Sequence, residues 1–200
     1  SPLWLRARAE LYGGEADYDG YLMGEDELTP YSSDTEYVGL RMESELGYRI
    51  AAGGGNIITP YAGLGVRSWE RTLDTQFSDR HIGRYGYTEY WSTLYAIAGA
   101  QLTVPLNQQS EIYALCAAHM PLENWLTVDL ENVGGPDDVE LDPGEKTTYR
   151  AELGLNHNPV TISIYYETME FSQSEFDSSG EYFQPNSKAE MIGAQIGLVF

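Results

Sequence analysis

Six arginines and six glutamates recur in this chain at spacings that place them on shared strand faces. Arg6, Arg8 and Glu10 alternate with Leu5, Ala7, Ala9 and Leu11, and Arg41, Glu43 and Glu45 alternate with Leu40, Met42 and Leu46. Arg67 and Arg71 oppose Leu64 and Val66, Glu89 opposes Leu94 and Ala96, Arg150 and Glu152 oppose Ala151 and Leu153, and Glu167 opposes Ile164 and Tyr166. Carboxylates beside guanidiniums on one face can form charge-assisted pairs. Paired carboxylates can also perform general acid–base work, but Glu43 and Glu45, two residues apart beside Arg41, read as ion-pair partners.

Other reactive groups are sparse. His81, His119 and His157 lack metal-ligand spacing, and His119 reads as a core histidine near Glu152 or Glu167. No Gly-x-Ser-x-Gly elbow and no phosphate loop occurs. Membrane lipid A deacylases carry a Ser two residues after their His. Here the triplets are His81-Ile82-Gly83, His119-Met120-Pro121 and His157-Asn158-Pro159. No catalytic residue is assigned, and the expectation is a non-enzyme without cofactor. Cys116 is the sole cysteine, so no intrachain disulfide can form, and it reads as a small apolar residue facing membrane.

The elements that must position these groups are strands. Period-two alternation marks two-faced β-structure, and eight segments show it: Leu3–Tyr12, Thr35–Ile50, Ile58–Arg71, Thr88–Val104, Glu111–Pro121, Thr147–Asn156, Val160–Phe171 and Met191–Phe200. Short links, Ala51–Asn56, Pro105–Ser110 and Asn156–Pro159, alternate with long ones, Gly13–Asp34, Thr72–Tyr87, Leu122–Glu145 and Ser172–Asn186. Short turns at one end and long loops at the other predict a single domain over residues 1–200, an all-β, eight-stranded antiparallel up-and-down transmembrane barrel. An even strand count puts both termini at the short-turn end, in the periplasm.

Polarity sets the orientation of the faces. An arginine at the bilayer midplane costs about 2–4 kcal/mol, and no arginine falls in the apolar runs. The charged face is therefore expected inside, and an eight-stranded barrel has room only for side chains there. The expectation is a lumen closed by Arg–Glu pairs between Tyr and Trp rings, with glycines 39, 63, 65, 99, 154, 193 and 197 making room for guanidinium groups.

The net charge of −20 excludes a nucleic-acid partner. No run of 18 apolar residues exists, so no transmembrane helix is predicted. The negative mean hydropathy is compatible with a barrel, whose strands present only alternate residues to lipid. Ser1 reads as the start of a mature chain whose export signal has been removed. The expected long loops are acidic: Gly13–Asp34 holds seven carboxylates and Leu122–Glu145 eight, without a Lys or Arg in either. A solvated surface explains this. Divalent cations are the alternative, with Asp17, Asp19, Asp137, Asp138, Glu140 and Asp142 as candidate oxygen ligands, although Asp17-x-Asp19-Gly20 is only a fragment of an EF-hand loop.

The terminal strand Met191–Phe200, the aromatic and glycine-rich Tyr61–Trp69, and Tyr182–Ser187 leading into the last strand together resemble the small eight-stranded outer-membrane barrels, the OmpA-like transmembrane-domain group. The resemblance covers Leu3 to Phe200. It implies that Phe200, with Leu198 and Ile196, belongs to a membrane-insertion signal read by the barrel-assembly machinery. It further implies a monomer surrounded by outer-membrane lipids and lipopolysaccharide in a Gram-negative bacterium. The chain stops at its last strand, so a cell-wall-binding domain is not expected. Fold analogy does not transfer function. The leading expectation is a structural or surface-interacting barrel, porin-like in form. A narrow pore for small solutes or ions comes second, and a lipid-modifying enzyme third. A soluble calyx would need the opposite polarity, apolar inside and charged outside.

Overall fold

The computed structural model describes residues 2–23, 28–73, 87–131, 138–180 and 182–198, with the backbone alone over 16–23 and 28–34. Ten strands and no α-helix are found among them: β1 (Leu3–Met23), β2 (Leu28–Tyr48), β3 (Ile50–Gly53), β4 (Asn56–Leu73), β5 (Thr88–Pro105), β6 (Ser110–Asp129), β7 (Asp138–Leu141), β8 (Thr148–His157), β9 (Val160–Phe171) and β10 (Ser187–Leu198). Eight of them form one antiparallel meander in the order β1-β2-β4-β5-β6-β8-β9-β10, while short β3 and β7 pair with β4 and β6.

The sheet curls. Arg8 on β1 reaches Glu152 on β8 at 3.3 Å, and Arg41 on β2 reaches Glu167 on β9 at 2.7 Å, so residues from strands far apart in the order meet over one concave face. No ladder joins β1 to β10 among the described residues, and a cleft of 1510 Å³ lies between these two edge strands.

Burial follows the two strand faces. β8 alternates from Thr148, buried, to His157, exposed, and β4 shows the same two-residue rhythm. The buried members include the charged residues together with aromatic ones. Arg41, Arg150, Glu45, Glu89 and Glu167 are all buried on the concave side, whereas Leu5 is 75%, Ile196 78%, Leu11 84% and Ile192 86% exposed on the convex side.

Two apolar layers bracket the charges. Near the loop end, Trp69, Trp91, Leu126, Val128, Val139, Leu141, Met169 and Phe171 form one cluster. The Trp69 and Trp91 rings stack at 5.4 Å, and Phe171 tilts against Trp91 at 4.7 Å. Such ring pairs add about 0.5–1.5 kcal/mol each beyond area burial. Nearer the turns, Tyr61, Tyr95, Ile97 and Ala117 pack together with Trp4 against them.

The strands run further than the alternation alone marks. The expected loop Gly13–Asp34 is largely ladder: Gly13 pairs with Val38, and pairing continues to Met23 opposite Leu28. Among the described residues β4 pairs with β2 only from Thr35 onward, and the part of β2 before it pairs with β1 alone. The alternation there is hidden by Gly, Asp and Ser, which are poor strand formers that neighbouring backbone pairing tolerates.

Within the expected loop Leu122–Glu145, β6 persists to Asp129 and pairs with β7. The ladder shifts there: Tyr95 opposes Pro121 while Leu94 opposes Glu123, so Leu122 is the extra residue of a bulge. One extra residue exchanges the two faces. Before it the odd residues Tyr113, Leu115 and His119 face inward; after it the even residues Asn124, Leu126 and Val128 are buried and Trp125 is exposed. The second segment is also interrupted at Arg49, before β3 begins.

Candidate functional site

The concave face holds a continuous ionic network at mid-height. Its hub is Glu167 on β9, wholly buried. Arg41 donates to both of its carboxylate oxygens, at 2.8 and 2.7 Å, Arg150 Nη1 donates at 3.1 Å, and Arg67 Nη2 also donates. Arg67 Nη1 further contacts the Met169 sulfur at 2.7 Å. Glu152 accepts from Arg150 at 2.9 Å, from Arg8 at 3.3 Å and from the Tyr113 hydroxyl at 2.6 Å.

Towards the turns, Glu45 is bidentate with Arg6 at 2.5 and 2.8 Å. Towards the loops, Arg71 meets Glu89 at 2.5 Å, and Glu89 also accepts from the Trp91 indole at 2.7 Å. Glu43 takes the Tyr95 hydroxyl at 2.9 Å and lies 3.8 Å from Arg8. Glu10 lies 3.6 Å from both Arg41 and Arg150. All twelve charged residues singled out from the sequence thus stand on one face, and their charges cancel.

Strand chemistry explains how such bulky groups fit. Aromatic side chains lie across glycines directly opposite them on the next strand: Trp4 over Gly47 and Tyr12 over Gly39, Tyr61 over Gly99 and Tyr95 over Gly65, Tyr113 over Gly154, and Tyr165 over Gly193. A Cβ added at Gly39, Gly65, Gly99, Gly154 or Gly193 would come within about 2.5 Å of the ring carbons. These glycines seat aromatic rings, which corrects the expectation that they clear space for guanidinium groups. Gly63 instead abuts the backbone of Ser44 and Glu45, and Gly197 has nothing within 4 Å. The rings then carry the cations: Arg150 lies 4.2 Å over Tyr165, Arg6 4.9 Å over Trp4 and Arg67 5.6 Å over Tyr12.

His119 sits inside this network. Its Nε2 is 3.9 Å from Glu43 and its Nδ1 3.9 Å from Glu167, and its ring faces Tyr95 at 5.0 Å. Of the two expected neighbours, Glu167 is the one that His119 meets, and Glu43 joins it because the curl brings β2 over β6.

A Ser–His contact absent from the sequence reading occurs on the convex side. Ser110 Oγ and His157 Nδ1 are 2.8 Å apart, paired across β6 and β8. No carboxylate pairs with His157 among the described residues, so the third member that orients a catalytic base is not found there. Motif reading missed the contact because Ser110 and His157 are far apart in sequence and only the ladder joins them.

Other sequence-marked residues are scattered. Cys116 is exposed on the convex side. Asp138 and Glu140 lie on β7 and Asp142 follows it, while Asp137 and the side chains of Asp17 and Asp19 lie outside the described residues. No group of three or more His, Cys, Asp or Glu side chains suited to a metal is found among the described residues. Leu198 and Ile196 are exposed on β10, and Phe200 lies outside the described residues. Comparison with protein-family models and with curated proteins finds no match for the chain.

Proposed function

We propose that this chain is an integral outer-membrane β-barrel whose lumen is filled by its ionic network, with a structural or surface-interacting role and no catalytic one. One observation carries the reading: the polarity is inverted. Apolar side chains stand exposed on the convex face, while ten of the twelve charged ones are buried, Arg6 and Arg8 are half-buried, and all twelve are paired. A water-soluble sheet gains by hiding the apolar face, and lipid reverses that preference. The convex run Leu3, Leu5, Ala7, Ala9, Leu11 spans eight residue steps, about 27 Å along a strand, or about 20 Å once tilted by some 40°, close to the apolar band of about 25 Å in outer-membrane barrels. Exposed Glu15 and Glu36 follow at the loop end, where headgroups and water begin. The short-turn end, with the start of β1 and the end of β10, then faces the periplasm, and lipopolysaccharide surrounds the loop end.

The filled-lumen reading is supported by the balanced Arg and Glu of the network and by the aromatic cluster at its loop end. A second reading, a narrow path for protons or small ions, is favoured by buried polar atoms without a hydrogen-bond partner: Glu10 Oε2, Arg41 Nη1 and Ser163 Oγ. Planar-bilayer recording of the refolded full-length protein separates the two. Silence, with the protein fractionating with membranes, supports the filled barrel. Stable openings of tens of picosiemens or more support the path. Recovery from cells as a detergent-free soluble protein overturns both.

A further inference from the structure

We propose that loop 172–186 is a docking surface for a cationic polypeptide segment, with the Phe176 and Phe183 rings as its apolar anchor and the carboxylates around them selecting the partner's sign. The inference rests on the membrane-barrel reading and goes beyond it by naming what the loop end binds.

Lipid does not account for Phe176. Among the described residues, the other large exposed apolar side chains stand on strands or, as Leu106 does, in a short link, whereas Phe176, 58% exposed, stands on a long loop. Exposed Glu15, Glu36, Lys188 and Glu190 mark the loop-end limit of the convex apolar run, and Phe176 follows β9 beyond that limit, in water. Its ring tilts against half-buried Phe183 at 5.0 Å, so the two form a patch. An exposed apolar patch rimmed by polar groups marks an interaction site, because covering it removes apolar surface from water.

The loop is built to hold this patch. Gly144 and Ser172 exchange backbone hydrogen bonds at 3.0 Å, tying its base to the segment after β7. The Ser174 N–H donates to the Gln184 carbonyl at 2.9 Å, and the Gln184 N–H donates to Ser174 Oγ at 2.8 Å. At the tip, the Asp177 carboxylate accepts from the Ser179 N–H at 3.0 Å and from the Tyr182 N–H at 2.9 Å, and Gly180 takes a φ of 77°. Tyr182 packs on the loop-end aromatic cluster. The rings are thus presented on an ordered frame, which spares a partner the entropy of fixing them.

Charge selects that partner. The arginines and glutamates of the network cancel inside the lumen, so the net −20 is carried outside it. Glu175 is exposed beside Phe176, and Asp142 and Glu145 are exposed on either side of the segment that pairs with the loop base. Lys146 and Lys188, which flank this region in sequence, are already engaged, by Glu170 at 4.0 Å and Glu190 at 2.7 Å. An anionic surface, a phosphate headgroup included, is repelled here, and a divalent cation alone would leave the rings uncovered. A segment rich in Lys or Arg that carries an aromatic or aliphatic side chain satisfies both features. Its apolar residue covers the ring pair, its cations meet the carboxylates, and a guanidinium can lie on a ring face.

Peptide titration tests it. Full-length protein refolded in phosphatidylcholine vesicles is titrated with a lysine peptide carrying a central pair of phenylalanines, and with the same peptide carrying glycines there. Protein-free vesicles give the blank. The phenylalanine peptide should bind at least about fivefold more tightly, and Phe176→Ala should remove that advantage while leaving the urea midpoint of this exposed position unchanged. Glu175→Lys, which leaves the rings in place, should weaken both peptides, as should added salt. Equal affinity for the two peptides shows charge acting alone and overturns the proposal. Absence of binding, or unchanged affinity in either variant, overturns it as well. Tighter, Phe176-dependent binding of lipopolysaccharide micelles with Mg²⁺ assigns the loop to lipid and likewise overturns it. Sedimentation with the vesicles reads the membrane assignment separately: protein left in the supernatant refutes the barrel, while the peptide titration still judges the loop.

Discussion

Substituting Glu167 probes the centre of the network. Glu167→Gln keeps the side-chain shape and one acceptor oxygen but removes the charge that Arg41, Arg67 and Arg150 share. The three guanidiniums are not equally affected. Arg150 keeps Glu152 at 2.9 Å, and Arg41 keeps Glu10 at 3.6 Å, whereas Arg67 has no second carboxylate among its ion pairs in the described residues. Removing one partner of a buried pair costs about 3–5 kcal/mol, mostly through the charge left behind. That corresponds to an unfolding constant raised by about two to three and a half orders of magnitude.

Glu45→Gln provides the contrast. Its partner Arg6 has a side chain 20% exposed, so water can take over part of the solvation and the cost should be well below that of Glu167→Gln. Restoring neutrality by Arg67→Met in the Glu167→Gln background should recover much of the loss, since well-packed apolar replacements of buried pairs are often neutral or better. Equilibrium urea titration of vesicle-embedded protein, followed by the fluorescence of its four tryptophans, gives the free energies of wild type, Glu167→Gln, Arg67→Met and the double variant, and hence the coupling between the two sites, with Glu45→Gln measured alongside. A Glu167→Gln cost under about 1 kcal/mol, or simple addition of the two single costs in the double variant, would refute a desolvated, mutually dependent network.

The ring-seating glycines and the convex face give two further tests. Gly65→Ala brings a Cβ to 2.5 Å from the Tyr95 ring, whose hydroxyl is held by Glu43. Urea titration should show a loss of about 1–3 kcal/mol, and a Tyr95→Ala background should abolish it. Leu64→Arg on the convex side should destabilise vesicle-embedded protein by about 2–4 kcal/mol if that side faces lipid. A change within about 0.5 kcal/mol, as for an ordinary surface position, would place it in water.

Much of this molecule is written in single strands. Leu5, Arg6, Ala7 and Arg8 declare two faces of opposite character, because side chains alternate on any extended backbone, and the cost of a charge in lipid or of an apolar surface in water assigns those faces without knowledge of neighbours. The antiparallel meander follows from such segments joined in succession. What no strand carries alone is register. The seating of Tyr95 on Gly65, the convergence of three arginines on Glu167, and the approach of His119 to Glu43 all join residues distant in sequence, so only paired backbones and the curl of the sheet decide them. The same holds for Leu122. Its neighbours look like any alternating run, and only a partner strand that supplies one residue against two reveals that inside and outside have exchanged.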